Sequence, residues 1–145
     1  MFAIASDHGG FAMKTQLMDH LRESSVEFED LGCYSEESVD YPVYAEKAAR
    51  GVADGTYERA ILICGTGIGM SMAANKIPGI RAALCSDCYS AEMTRLHNNS
   101  NVLCLGGRTL GIEVAKKIVD IWLETPFSGQ ERHARRIEMV MELEK

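Results

Sequence analysis

The sequence predicts an α/β fold in which a five-stranded parallel sheet is covered by helices on both faces. Three observations carry that expectation. Five short apolar runs of strand length alternate with stretches of helical periodicity. Glycines cluster where three of the runs end, at Gly9-Gly10, Gly65 to Gly69 and Gly106-Gly107, and such turns belong at the carboxyl edge of open parallel sheets, where ligands bind. A chain of 145 residues without internal repeats or low-complexity tracts is the size of one domain.

Ala60-Ile61-Leu62-Ile63-Cys64 reads as a buried central strand. It stops in Gly65-Thr66-Gly67-Ile68-Gly69, after which Met70 to Asn75 reads as a helix. Upstream, Phe2 to Ser6 is a short buried strand running into Asp7-His8-Gly9-Gly10. A helix follows from Phe11 to Glu23, with Phe11, Leu17, Met18 and Leu21 on one face. Val26 to Leu31 alternates apolar and acidic residues, the pattern of a strand bordering the sheet. Gly32 to Asp40 is a polar loop, and Tyr41-Pro42 opens a helix to Ala53, since proline is tolerated in a first turn. Lys76 to Gly79 is a turn, Ile80 to Cys85 another buried strand, and Tyr89 to His97 a helix. A polar turn, His97 to Asn101, precedes the strand Val102 to Gly106. The next helix presents Val114, Ile118 and Trp122 on one face and ends at Pro126. Glu131 to Lys145 is helical in pattern, with Ile137, Val140 and Met141 on one stripe.

Composition narrows the partners. A net charge of −6 argues against nucleic acid, which needs a basic face. No apolar run reaches membrane-spanning length, and the N-terminus has neither a basic leader nor a signal-type cleavage site, so a cytoplasmic protein is expected. Cys33, Cys64, Cys85, Cys88 and Cys104 are odd in number and lie in or beside apolar runs, which suits a reducing compartment without disulfides.

Several side chains stand where chemistry is expected. Cys64 ends the central strand beside Thr66 and just before a helix, a setting that makes a thiolate available as base or nucleophile. The glycines Gly65, Gly67 and Gly69 let backbone N–H groups approach an anion. Asp7 and His8 precede a helix and a glycine pair; Asp7 can cap that helix or face a ligand. Tyr41 stands at a helix N-terminus on the rim, as a packing residue or a contact. His97 offers a proton carrier that titrates near neutrality, and Arg108 a guanidinium suited to bidentate anion binding. Asp7, His8, Cys64, Thr66, His97 and Arg108 are all expected at or near the carboxyl edge. Arg132 and Arg136, four apart on the last helix, suit a phosphate clamp or a solvated charge run. Cys85 and Cys88 form a C-x-x-C that by spacing fits a redox pair or half a zinc site, but no second pair completes a metal site. Asp87 lies twenty residues beyond Gly67, where a dinucleotide fold would place its ribose-binding acid, although Met70 replaces the final glycine of G-x-G-x-x-G.

Taken together, Asp7-His8-Gly9-Gly10, Asp40-Tyr41-Pro42, Cys64 to Gly69, Ala73-Ala74-Asn75-Lys76, Gly79-Ile80-Arg81-Ala82, His97-Asn98, Asn101-Val102-Leu103 and Gly106-Gly107-Arg108 resemble the type B ribose-5-phosphate isomerase family. That family also holds allose-6-phosphate isomerase and the galactose-6-phosphate isomerase subunits. The match runs in order over essentially the whole chain. The resemblance implies a Rossmann-like three-layer sandwich that works as a homodimer, or a dimer of dimers, with shared active sites and the C-terminal helix on or near a partner subunit. It implies aldose–ketose isomerisation of a sugar phosphate with neither metal nor cofactor. By the same resemblance Cys64 would be the base that moves the proton between C2 and C1, supported by Thr66. Asp7 and His97 would open the furanose ring, and N–H groups from Gly65 to Gly69 would stabilise the enediolate. His8, Arg108, Arg132 and Arg136 would hold the phosphate, with Arg135 an alternative to Arg136, while Tyr41 and Asn98 would contact the sugar. Galactose-6-phosphate isomerase subunits, which need a different partner chain, and a non-catalytic sugar-phosphate sensor are the rival expectations.

Overall fold

The computed structural model describes residues 1–145. Five parallel strands, β1 (Phe2–Ser6), β2 (Phe28–Asp30), β3 (Ala60–Cys64), β4 (Ala82–Leu84) and β5 (Val102–Gly106), form one sheet in the order β2-β1-β3-β5-β4. The helices are α1 (Phe11–Glu23), α2 (Tyr41–Ala53), α3 (Ile68–Ala74), α4 (Cys88–Asn98), α5 (Ile112–Glu124) and α6 (Glu131–Glu142). The register aligns Ala3 with Ala60 and Ala60 with Val102, so β1, β3 and β5 end level and deliver their following loops to one edge.

Alternation along the central strands sorts the core into two layers. Ala3, Ala5, Leu62, Cys64 and Cys104 face α2 and α3, whose buried residues are mostly alanines. Ile4, Ile61, Ile63, Leu103 and Leu105 face the larger side chains of α1 and α5, including Leu17, Ile118 and the fully buried Trp122. The expected three-layer α/β sandwich is therefore observed, with β1, α1, α2, β3 and β5 at the expected limits.

Four details differ. β4 is shorter than Ile80 to Cys85 and is an edge strand, bonded on one side to β5 and leaving Leu84 41% exposed. β2 is likewise trimmed to three residues at the other edge. The helix after the glycine loop starts two residues early, at Ile68. Val114 is exposed, and Ala115 and Val119 join Ile118 and Trp122 in the core. Each step of four residues rotates a side chain by roughly 40° around the helix, so two such steps carry Val114 off the face that Trp122 occupies.

A buried lysine fixes the segment after β2. Lys14 on α1 is fully covered, and its Nζ donates to Asp30 Oδ1 and to the Cys33 carbonyl, both at 2.6 Å. Asp30 Oδ1 also accepts from the Gly32 N–H at 2.9 Å. These bonds anchor the polar loop that runs on to α2. Lys14→Met fills the same space but leaves the Cys33 carbonyl without its donor and the Asp30 carboxylate without its cation. It is expected to cost about 2–3 kcal/mol, read as a lower urea midpoint with an unchanged slope.

Candidate active site

The three glycine loops at the carboxyl edge pack backbone on backbone. A Cβ on Gly9 would stand 3.1 Å from the Gly65 nitrogen, and one on Gly107 would stand 2.7 Å from the Gly9 oxygen. Gly10 lies against the Ile63 carbonyl. Hydrogen bonds lock the same loops: Gly107 N–H donates to the Cys64 carbonyl at 2.8 Å and Arg108 N–H to the Gly65 carbonyl at 2.9 Å.

Cys64 sits in the middle of this contact. Its side chain is buried, and its sulfur accepts a hydrogen bond from the Gly67 N–H at 3.1 Å. Gly67 has φ +79°, and a Cβ there would meet Leu84 Cδ1 at 2.5 Å and the Leu105 carbonyl carbon at 2.9 Å, so a glycine is needed to point its N–H at the sulfur. The hydroxyl of Thr66 accepts from the Ile68 N–H at 3.2 Å, a local turn bond just ahead of α3. Thus the group bonded to the sulfur is an amide, not the Thr66 hydroxyl. The N–H groups of Gly65, Thr66 and Gly69 have no acceptor within the chain.

Around this cradle stand four other expected residues. Asp7, 7% exposed, accepts from the Gly10 N–H at 3.1 Å through Oδ1, while its second oxygen takes no hydrogen bond within the chain. His8 Nδ1 accepts from the Val39 N–H at 3.1 Å, which puts the proton of the neutral ring on Nε2 as a donor. The Tyr41 ring lies on Gly69, where a Cβ would stand 2.6 Å from its Cε1. The Arg108 guanidinium is exposed above Gly65, with Nη1 3.5 Å from the position of a Gly65 Cβ.

His97 is elsewhere. It lies in the last turn of α4, just before β5 begins, and a crossover helix returns the chain to the amino edge of the sheet. Its expected place at the carboxyl edge is therefore corrected. With Asn98, Asn75, Arg81 and Arg136 it lines a second pocket of about 420 Å³ between α4, α6 and the start of β4. Strands of five residues separate the two edges by roughly 16 Å before loops are counted. Arg132 is exposed one turn before Arg136 on α6. Arg135 lies near Glu131 at 3.5 Å on an exposed face, so Arg136 is the arginine that shares the pocket with His97.

Two other expectations are settled by packing. Asp87 caps α4, accepting from the Ser90 N–H at 2.7 Å and the Ser90 hydroxyl at 2.8 Å, and Met70 is wholly buried, which leaves neither for a dinucleotide. The Cys85 thiol is pushed up to about 11 by burial and then by Asp87, so Cys85 is not the activated thiol that a redox pair needs. Asn75 and Arg81, which enter the sequence reading only as motif residues without a role, and His133, which has none there, gather around His97. The only signal for His133 was its place inside the basic run.

Gly67→Ala is expected to lower the thermal midpoint by several degrees through clash and the left-handed φ, while Gly65→Ala is expected to be within about 1 kcal/mol of the parent. Differential scanning calorimetry of the two proteins measures the contrast.

Residues 2–140 match the model of a family described as Ribose/Galactose Isomerase. Ribose-5-phosphate isomerase B of Escherichia coli is 48% identical over 143 residues, covering 99% of this chain and 95% of that protein. Among solved structures, ribose-5-phosphate isomerase B of Clostridium thermocellum superposes with a TM-score of 0.96 at 48% identity, covering 99% of this chain and 96% of its own. The enzyme of Mycoplasma genitalium, solved with bound ribulose-5-phosphate, has a TM-score of 0.93 at 41% identity, covering 99% and 95%. A glycine cradle around a cysteine, on this sheet order and with matches that run nearly end to end, places the chain in the ribose/galactose isomerase family.

Proposed function

We propose that this chain is an aldose–ketose isomerase interconverting ribose 5-phosphate and ribulose 5-phosphate, with residues 1–145 acting as one domain. The observation that carries the proposal is the Cys64 sulfur held by a backbone N–H among three interlocked glycine loops. The substrate class follows from the relatives named above. The family description also names galactose, which makes a six-carbon sugar phosphate the second class to test.

Isomerisation moves a proton between C2 and C1 of an open-chain sugar. Cys64 as thiolate takes the proton from one carbon and returns it to the other, and the Gly67 N–H stabilises the sulfur while it is charged. The enediolate oxygens take the N–H groups of Gly65, Thr66 and Gly69, each preorganised donor contributing on the order of 3–4 kcal/mol. Asp7, through its second oxygen, and His97 open the furanose ring; Thr66 holds the loop in shape beside them. His8 and Arg108 bind the phosphate with Arg132 and Arg136, and Tyr41 and Asn98 contact the sugar. The chemistry needs no cofactor.

A pentose phosphate is shorter than the roughly 16 Å that separates the Cys64 edge from the His97 edge within one chain. The site is therefore completed by a second copy, which brings His97, Asn98, Arg132 and Arg136 to the first copy's cradle. A homodimer or dimer of dimers with α6 on the partner follows. Ile68, Met72 and Leu84, exposed by 46%, 64% and 41%, offer an apolar face beside the cradle for that pairing. Five free cysteines agree with a cytoplasmic setting, and no helix is long and apolar enough to cross a membrane.

The purified chain is expected to convert ribose 5-phosphate with a chelator present, with allose 6-phosphate and galactose 6-phosphate run in parallel. Cys64→Ala should slow turnover at least about 100-fold while substrate still binds, and an unchanged rate would move the base elsewhere. When Cys64→Ala and His97→Asn chains, each inactive alone, are refolded together, random pairing should restore up to about a quarter of the parent rate. No recovery would overturn the shared site.

A further inference from the structure

His133 is the only buried residue of α6, 7% exposed, and it packs against α4. Its ring stacks on that of His97 with centroids 4.3 Å apart and planes 8° from parallel. His97 itself is exposed and lines the pocket with Asn98 and Arg136, so one face of its ring rests on His133 and its edge is open to the pocket. Stacked imidazoles cannot both carry charge without strong repulsion. Burial first, then His97, Arg132 and Arg136, lower the His133 pKa from its ordinary value.

We infer that His133 is a positioning residue for ring opening: its flat face fixes the plane of the His97 imidazole while its helix fixes Arg136 beside the same pocket. A histidine on an exposed helix terminus would otherwise sweep several rotamers, and a proton carrier that must meet a ring oxygen loses rate for each misplacement. The stack ties the proton carrier and the phosphate-binding helix into one unit, since no other side chain of α6 is buried. The inference rests on the isomerase proposal above.

The test uses the full-length protein with ribose 5-phosphate as substrate and inorganic phosphate as competitive inhibitor. His133→Ala is expected to lower kcat about tenfold, with the inhibition constant for phosphate moved less than about twofold. His133→Phe keeps a stacked ring without an ionisable group and should regain most of the lost kcat. The His97 ring-proton resonances, shifted by the facing ring in the parent, should lose that shift in His133→Ala and keep it in His133→Phe. Parent-like kcat in His133→Ala overturns the inference. So does a loss of kcat matched by an equal loss of phosphate affinity and unrelieved by phenylalanine, because α6 has then merely come loose. His97→Asn separates the premises: if it retains the parent rate, the ring-opening role of His97 fails and this inference with it, whereas if the parent does not turn over the substrate the isomerase proposal itself fails.

Discussion

The site depends on three loops being able to touch without side chains between them. Gly9, Gly65 and Gly107 stand in contact at the carboxyl edge, and backbone hydrogen bonds from Gly107 and Arg108 to the carbonyls of Cys64 and Gly65 hold them there. That contact is possible because β1, β3 and β5 are adjacent, parallel and level. It also sets the direction of the Gly67 amide, and with it the environment of the one sulfur at the strand end. Buried alanines on α2 and α3 let those helices lie close to the same strands, so the packing under the cradle is as tight as the loops above it.

Much of this was legible before any coordinates. Glycine and proline punctuate the chain sharply around β1, α2, β3 and β5, and the limits of those elements follow from them. Cys64, Asp7, His8, Tyr41 and Arg108 were placed correctly because each sits at the junction where a strand ends or a helix begins. His97 was misplaced because it marks the far end of a helix. The direction of travel matters there, and a residue just before a strand belongs to the amino edge. Lys14 gave no signal either. Its partners, Asp30 and Cys33, are distant in sequence, and a lysine in a helical pattern reads as a surface residue until the loop that buries it is known.

Overall charge and local charge point in opposite directions. The chain is acidic, yet Arg81 and Arg136 flank the pocket that holds His97, while Arg108 overhangs the cradle. A phosphate arriving at either edge therefore meets cationic side chains, and the acidic remainder disfavours polyanions such as nucleic acid elsewhere on the surface. Arg81 also donates to the Asn98 and Asn99 carbonyls at 3.1 Å, so the same guanidinium braces the end of α4 that carries His97.

The opposite placement of the two residue groups has a consequence for how such a protein can change over generations. Neither group contacts the other within a chain, so damage to one leaves the other whole. If two copies share a site as proposed, then after a gene duplication one copy can lose its cysteine cradle and the other its histidine pocket, and the pair still assembles one working centre. Selection can then keep both genes, each indispensable, with half the machinery free to drift in either. On that proposal, a fold whose chemistry is split between the two ends of its sheet is predisposed to become an obligate pair of unlike subunits.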